Sequence, residues 1–501
     1  MRASRHIWHL GSETIIYGIP GTINRFIAIF LVPIYTRVFS TTEYGVYGTL
    51  TSLTQLLATF VVLGLDNASA RWFYDTENID RRKSVIASWF WCQFLVSLLL
   101  ALVVTCLAAP VARLLLGSDE YAVYLRLAVW VIPLMASGRV LGNWMRYRRL
   151  AWMNVGYSVA ASLVVVACII LMVVGLGKGL AGLYQGQLLG WGIMMLVAAA
   201  LFLPWIHPRR FSWKLLREMF AFGLPLVPAG LASWVTASSD RVLMTMFRGA
   251  AENGIYYAGV QIALGMALLT SAFQLAWGPF AFSILNEPEA PRVYSKVFSL
   301  YCFLGCWLGL GMSLFGPLLL SIFTTPEYYG ASSCIPFLVF GNLAMTATYI
   351  GVLGPSIEKK SGPIAVSIFI GAGLNLGLNL ALIPLLGKEG AALTTWLAYG
   401  AAAVYIFYRA QKIHPLPYRF RDALVCLVVA ALLIAADQIF LPVWAGWAFA
   451  LRALVCLAYG FLALALSIVR PAHLREAWAW LRRRIRRREA QMSPPSGEND
   501  P

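Results

Sequence analysis

Two arginines and an aspartate interrupt long apolar stretches of this sequence: Arg25, preceded by Asn24, and the adjacent pair Asp240-Arg241. A guanidinium keeps its charge at any physiological pH and donates several hydrogen bonds in one plane, the pattern a phosphate accepts. Ionisable groups are costly in hydrocarbon and face a bundle interior or a water-filled cavity. Arg25 and Arg241 are therefore candidates to hold an anionic headgroup, with Asp240 balancing or releasing their charge. The same residues also suit a buried Arg25–Asp240 ion pair between two parts of the chain, and the two roles can alternate. Asp66, Asn67 and Arg71 close another apolar run, where they fit helix termination or the mouth of a cavity. Asn375 and Asn379 stand four apart on one helix face, where amides suit sugar hydroxyls or a neighbouring helix. The candidate substrate-binding set is Arg25, Asn24, Asp240, Arg241, Asp66, Arg71, Asn375 and Asn379.

Other chemistries lack their residues. The sequence has no Walker loop, no paired His on a zinc-binding helix and no Gly-x-Ser-x-Gly elbow. The eight Cys are scattered without metal spacing. No catalytic residue, metal or cofactor is expected. A membrane glycosyltransferase or polymerase would need a larger outward loop than the stretch from Pro110 to Tyr121, and a scaffold for polysaccharide synthases is a further alternative.

The elements that must position these groups follow from composition. With 60% hydrophobic and 12% charged residues and a mean hydropathy of +0.72, the chain reads as an integral membrane protein. A helix crosses a core of roughly 30 Å with about 20 apolar residues. Fourteen spans are expected, roughly at 14–36, 45–66, 85–109, 122–143, 153–175, 180–203, 219–245, 254–282, 294–316, 332–354, 363–384, 389–408, 421–441 and 447–469. The runs are continuous rather than alternating, which excludes a barrel. Most of the 39 Lys and Arg fall in alternate loops, so the positive-inside rule places those loops and both termini in the cytoplasm. The same spread excludes nucleic acid as a partner. The first apolar run is of spanning length, so no cleaved signal peptide is expected.

One tract recurs about 210 residues on. Leu176-Gly177-Lys178, with Ala181, Leu183 and Gly190, returns at Leu386-Gly387-Lys388, Ala391, Leu393 and Gly400; within one residue of that offset, Glu43, Gly45 and Tyr47 return at Glu252, Gly254 and Tyr256. The duplicated unit holds six spans, an even number, so both copies point the same way. Parallel repeats pack as two lobes with a site between them. The expected all-α organisation is an N-lobe at 1–210, a C-lobe at 211–415, two added spans at 416–470, and a basic amphipathic cytoplasmic tail at 471–501 that ends in disorder and suits anionic membrane lipids. Asp437 and Arg452, in the added pair, are expected to neutralise each other.

These residues bring a family into view. Asn24-Arg25 with LVPIYTRVFSTTEYGVYG, then GLDNASARWFY, FGLPLVPAG with SSDRVLM, NGIYYAG, and NLGLNLALIPLLGKEGAALTTWLAYG resemble the Wzx-like polysaccharide-transporter flippases of the multidrug, oligosaccharidyl-lipid and polysaccharide exporter superfamily. The resemblance covers roughly residues 10 to 410. It implies a MATE-like pair of six-helix lobes in a bacterial inner membrane. It also implies movement of an undecaprenyl-pyrophosphate-linked oligosaccharide, such as an O-antigen, capsule or exopolysaccharide repeat unit, from the cytoplasmic to the outer leaflet, coupled to a proton or sodium gradient. Polysaccharide polymerase and glycosyltransferases are the implied protein partners. Within the superfamily, a lipid II flippase and a cation-coupled multidrug exporter are the alternatives; the exporter would want acidic rather than basic cavity groups.

Overall fold

In the computed structural model, residues 21, 23, 24, 26–442 and 446–466 are described, and every regular element among them is helical. In chain order these are α1 (Phe26–Val38), α2 (Thr41–Val62), α3 (Leu65–Tyr74), α4 (Ile79–Cys106), α5 (Ala108–Leu116), α6 (Ala122–Tyr147), α7 (Ala151–Ile170) and α8 (Gly179–Phe202). There follow α9 (Trp213–Gly223), α10 (Val227–Arg248), α11 (Ala250–Ser283), α12 (Ala290–Leu314), α13 (Gly316–Phe323), α14 (Ile335–Gly351), α15 (Leu353–Ile357), α16 (Gly362–Ile413), α17 (Phe420–Phe440), α18 (Gly446–Gly460) and α19 (Leu462–Ala465). Eleven helical stretches are long and apolar enough to span a membrane. One of them, α16, holds two spans joined at Gly387; the shorter apolar helices α1 and α18 cover the described parts of the first and last expected spans, so that helices stand at all fourteen expected positions. Leu196, Val404 and Phe440 are among many large apolar side chains left exposed, as a lipid-facing surface requires.

Local chemistry sets the breaks between helices. Ser40 and Glu43 form a reciprocal capping box that starts α2. At its other end Leu63 and Gly64 both take left-handed φ, turning the chain into α3. The recurring tract turns at its glycine in both copies: Gly177 has φ 63° and Gly387 φ 58°, a region open to glycine because it lacks a Cβ.

The chain divides into two compact units. The first holds the described residues up to Asn286 together with Phe315–Pro415. Within it α2 packs on α10 and α11, α10 on α16, and α11 on α14, while α4, α6, α7 and α8 pack on one another. A buried cluster that includes Trp89, Trp144, Phe202 and Trp205 anchors α4, α6 and α8. The second unit, Glu287–Leu314 with the residues from Leu416 onward, joins α12 to α17 and α18. Here the Arg452 Nε donates to Asp437 Oδ1 at 2.7 Å, so the expected neutralising pair is present. The Trp307 indole donates to the Cys456 carbonyl at 2.7 Å. α12 is the ninth expected span, and its partners in this unit are the last two spans rather than its neighbours in sequence. The expected tail at 471–501 lies outside the described residues.

Candidate functional site

The two copies of the Glu-x-Gly tract meet each other. Gly45 at the start of α2 and Gly254 at the start of α11 lie so close that a Cβ at 45 would sit 1.7 Å from the Ala250 carbonyl oxygen, and one at 254 would sit 1.9 Å from that of Thr41. Backbone contact of this kind needs two residues without side chains. Hydrogen bonds then seal the crossing. The Asn253 amide donates to the Gly45 carbonyl and to Thr49 Oγ1, both at 2.9 Å, and Thr49 and Thr245 hydroxyls lie 2.6 Å apart. Beneath it tyrosines fill the seam: Tyr44 and Tyr257 have ring centres 5.2 Å apart, Tyr47 and Tyr257 5.7 Å, and Tyr44 and Tyr328 5.6 Å.

A second contact closes the opposite end of α2. A Cβ on Gly64 would lie 2.2 Å from the Gly223 carbonyl oxygen, and the Trp72 indole reaches Glu218 at 3.3 Å. Arg71 belongs to this contact. Its guanidinium lies 5.8 Å from the ring of Trp72 and 5.3 Å from that of Phe222, within cation–π range.

Between the two contacts lie cavities whose apolar walls carry a few polar side chains, and Arg139 borders three of them. A cavity of about 220 Å³ is walled by Tyr47, Gln55, Gln93, Arg139, Tyr184 and Gln187. A neighbour of about 290 Å³, reaching across to the start of α10, is lined by Gln55, Thr59, Asn67, Arg139, Leu226 and Gly230. A third of about 350 Å³, between α6, α7 and α8, takes in Asn24, Arg139, Arg146, Asn154, Tyr157 and Trp191. Arg139 stands about 12 Å from the end of α6 at Tyr147, at 1.5 Å per residue. Asp66 Oδ2 lies 3.8 Å from its Nη1, and the Gln93 amide donates to Asp66 Oδ1 at 3.2 Å. With 45% of its side chain exposed, Arg139 is only partly engaged by this long ion pair and has donors left for an anion.

A second polar cluster sits between α10, α11 and α16. Asp240 is buried; its carboxylate accepts from the Tyr256 hydroxyl at 2.5 Å and from the Arg241 backbone amide at 2.9 Å. It has no ion pair among the described residues. The Arg241 guanidinium lies 5.5 Å from the Tyr257 ring centre and donates to Ser238 at 3.3 Å, and Ser238 in turn donates to Gln55 in the cavity wall at 2.9 Å. On α16, Asn379 donates to Asn375 Oδ1 at 3.0 Å, and Ser239 reaches the same oxygen at 3.3 Å. Both asparagines are fully buried, and among the described residues the Asn375 Nδ2 and Asn379 Oδ1 have no partner.

The structure thus separates the sequence candidates into three places. Asn24, which accepts a hydrogen bond from Ser162, and Asp66 stand beside the cavities that share Arg139. Asp240, Arg241, Asn375 and Asn379 form the buried cluster, and none of them lines those three cavities. Arg71 is at the Gly64 contact. Arg25 lies outside the described residues. Arg139 was not among the candidates, although it satisfies the criterion applied to Arg25, a guanidinium inside an expected span.

Comparisons with known proteins agree on the type of molecule. The sequence profile of the polysaccharide biosynthesis protein family matches residues 10–284, more than half of the chain. A stretch of 241 residues is 29% identical to the succinoglycan biosynthesis transport protein ExoT of Rhizobium meliloti, covering 46% of this chain and 45% of that one. An uncharacterized membrane protein of Methanocaldococcus jannaschii is 27% identical over 216 residues, 40% of this chain and 41% of its own length. The chain therefore spans less than half the length of these curated relatives in the matched regions. Among solved structures, a lipid II flippase, MurJ, in an inward closed conformation superposes with a TM-score of 0.70 at 13% identity, covering 91% of this chain and all of that one. An inward-facing multidrug resistance MATE transporter of the MOP superfamily superposes at 0.59 with 16% identity, covering 86% and 100%. At such identities the likeness establishes a shared fold.

Proposed function

The chain belongs to the polysaccharide biosynthesis protein family of multi-pass membrane transporters and flippases, and on that premise we propose that it moves an undecaprenyl-pyrophosphate-linked oligosaccharide from the cytoplasmic to the outer leaflet of a bacterial inner membrane. The observation that carries this reading is Arg139, a half-exposed cation at membrane depth that borders three cavities. A guanidinium of this kind takes pyrophosphate, and the amides of Gln55, Gln93 and Gln187 take sugar hydroxyls. A drug cation would meet repulsion at Arg139, which disfavours the multidrug-exporter reading. With both termini read as cytoplasmic from the basic loops, the Gly45–Gly254 crossing would close the outer end and the Gly64–Gly223 contact the inner end.

The contacts at both ends match an occluded stage of alternating access, in which breaking one and keeping the other exposes the cavity to one side. Arg241, over Tyr257 and linked through Ser238 to Gln55, would meet the diphosphate as it nears the outer end. The coupling ion, a proton or sodium, would act at the buried cluster. Among the described residues Asp240 makes no direct ion pair, although Arg241 stands beside it, and Asn379 Oδ1 has no donor, a need that a hard cation or a proton meets. Glycosyltransferases that build the repeat unit and a polymerase that consumes it are the implied partners. Replacing Arg139 by Gln tests the reading: lipid-linked repeat units should accumulate on the inner leaflet at unchanged protein level. Full export by that variant would refute it.

A further inference from the structure

α7 lies in the most apolar of the eleven membrane-spanning stretches among the described residues, yet it carries Asn154, Tyr157, Ser158 and Ser162. At spacings of three, four and eight these share one face. All four point into the third cavity, opposite Arg139 and Arg146 of α6 and Trp191 of α8. A further face is apolar and exposed, as at Trp152, Met153 and Leu163, while another packs on α8. The row runs about 12 Å into hydrocarbon; Ser162 bonds Asn24 and the Ser158 carbonyl, and Asn154 bonds the Gly142 carbonyl, while Tyr157 and Ser158 line the same cavity and can serve a polar ligand.

Two glycines shape the opposite wall. A Cβ on Gly138 would lie 3.1 Å from the Trp191 ring and 3.5 Å from the Tyr157 hydroxyl, and one on Gly142 would lie 3.4 Å from the Asn154 amide. The aromatic rings therefore rest against bare backbone, and Asn154 is fixed by donating to the Gly142 carbonyl at 2.9 Å. Arg146, exposed, bonds to Asn143 and stands two turns along α6 from Arg139. The notch thus presents a cation near its rim, a second cation deeper in, aromatic rings, and a row of small hydroxyls and amides.

We propose that this notch is a second binding site, in which the diphosphate and first sugar of a polyprenyl-linked glycan are held by Arg146 and Arg139, with the sugar against Trp191 and Tyr157, before the headgroup passes to the central cavity. The assignment rests on the flippase reading above and adds a station to it. Arg139 is the hand-over point because it borders both spaces. A bulk anionic phospholipid offers the same phosphate chemistry without the sugar, and the test separates the two sources.

The test uses the full chain in phosphatidylcholine nanodiscs, with radiolabelled farnesyl-diphospho-glucose as probe. Filling the notch with Ser158→Leu together with Ser162→Leu, and separately removing the rim cation with Arg146→Gln, should each weaken probe binding by at least about tenfold, the scale of a lost charge-assisted hydrogen bond. Arg146 is exposed, so its replacement leaves packing intact even if the double leucine variant fails to fold. Unchanged binding in Arg146→Gln and in a folded double variant, with loss in Arg139→Gln, would overturn the notch while leaving the flippase reading standing. Displacement of the probe by phosphatidylglycerol at equal mole fraction would also overturn it, making the notch a site for ordinary lipid. If the wild type binds no probe at all, both readings fall together.

Discussion

Gly45→Ala is the sharpest perturbation available. The new methyl carbon would sit 1.7 Å from the Ala250 carbonyl oxygen, against an ordinary separation of about 3.5 Å, so α2 and α11 must part by about 1.5–2 Å at this end. The hydrogen bonds from Asn253 to Gly45 and Thr49, and the one between Thr49 and Thr245, now 2.6–2.9 Å long, would all stretch beyond bonding range. Each contributes about 1 kcal/mol and more when the groups left behind stay buried. The outward-closed state thus loses about 3 kcal/mol, which shifts its population about a hundredfold. A cysteine placed at Thr51, in the cavity wall, reads the change. A membrane-impermeant thiol reagent added on the outer side, followed by site-resolved mass spectrometry, should label it slowly in the parent and rapidly in the Gly45→Ala variant, and transport should fall because the outer end no longer closes. Equal labelling with full transport would refute the reasoning.

Three further outcomes are expected. Arg139→Lys should transport more slowly than the parent, because an ammonium lacks the planar fork, whereas Arg139→Gln should lose at least about tenfold in rate with thermal unfolding unchanged, since its pairing with Asp66 is long and half-exposed. Asp240→Asn should bind the lipid-linked substrate normally yet lose the dependence of transport on an imposed ion gradient; retained dependence in proteoliposomes would move the coupling site elsewhere. In the second unit, Arg452→Met strands the Asp437 carboxylate and should destabilise by about 3–5 kcal/mol, while Asp437→Leu with Arg452→Met should recover most of that, as read by fluorescence-detected unfolding in detergent.

Much of the fold is written in composition. Hydrocarbon demands long apolar runs, and each expected span from 45–66 onward has its helix, including the separation of 363–384 from 389–408 at Gly387. The helix that pairs with the last two spans was not legible, because periodicity states that α12 is buried and not by what. Site residues divide in the same way. Asp240, Asn375 and Asn379 stood out as polar groups in apolar runs and prove to be buried, yet their grouping with Ser239 depends on how α10 packs on α16. Arg139 escaped notice because Arg146, Arg148 and Arg149 follow closely, and a lone cation near a basic loop reads as part of that loop. Its tie to Asp66, distant in sequence, exists only in three dimensions. Glu43 and Glu252, matched in sequence, part company in the structure: Glu43 caps α2, whereas Glu252 bonds Arg248 and the Lys388 amide.

The meeting of Gly45 with Gly254 has a consequence for the expected duplication. Under the expected duplication, a residue that touches its own duplicate lies on the pseudo-twofold axis, the arrangement of an isologous dimer in which one patch pairs with itself. Such an interface in an unfused ancestor must satisfy the same sequence twice, so an improvement on one side is forced on the other. Fusion lifts that constraint: Asn253 bonds across the axis while its counterpart Tyr44 stacks in the seam, and each half becomes free to specialise, one around cavities bordered by Arg139 and the other around a buried Asp240.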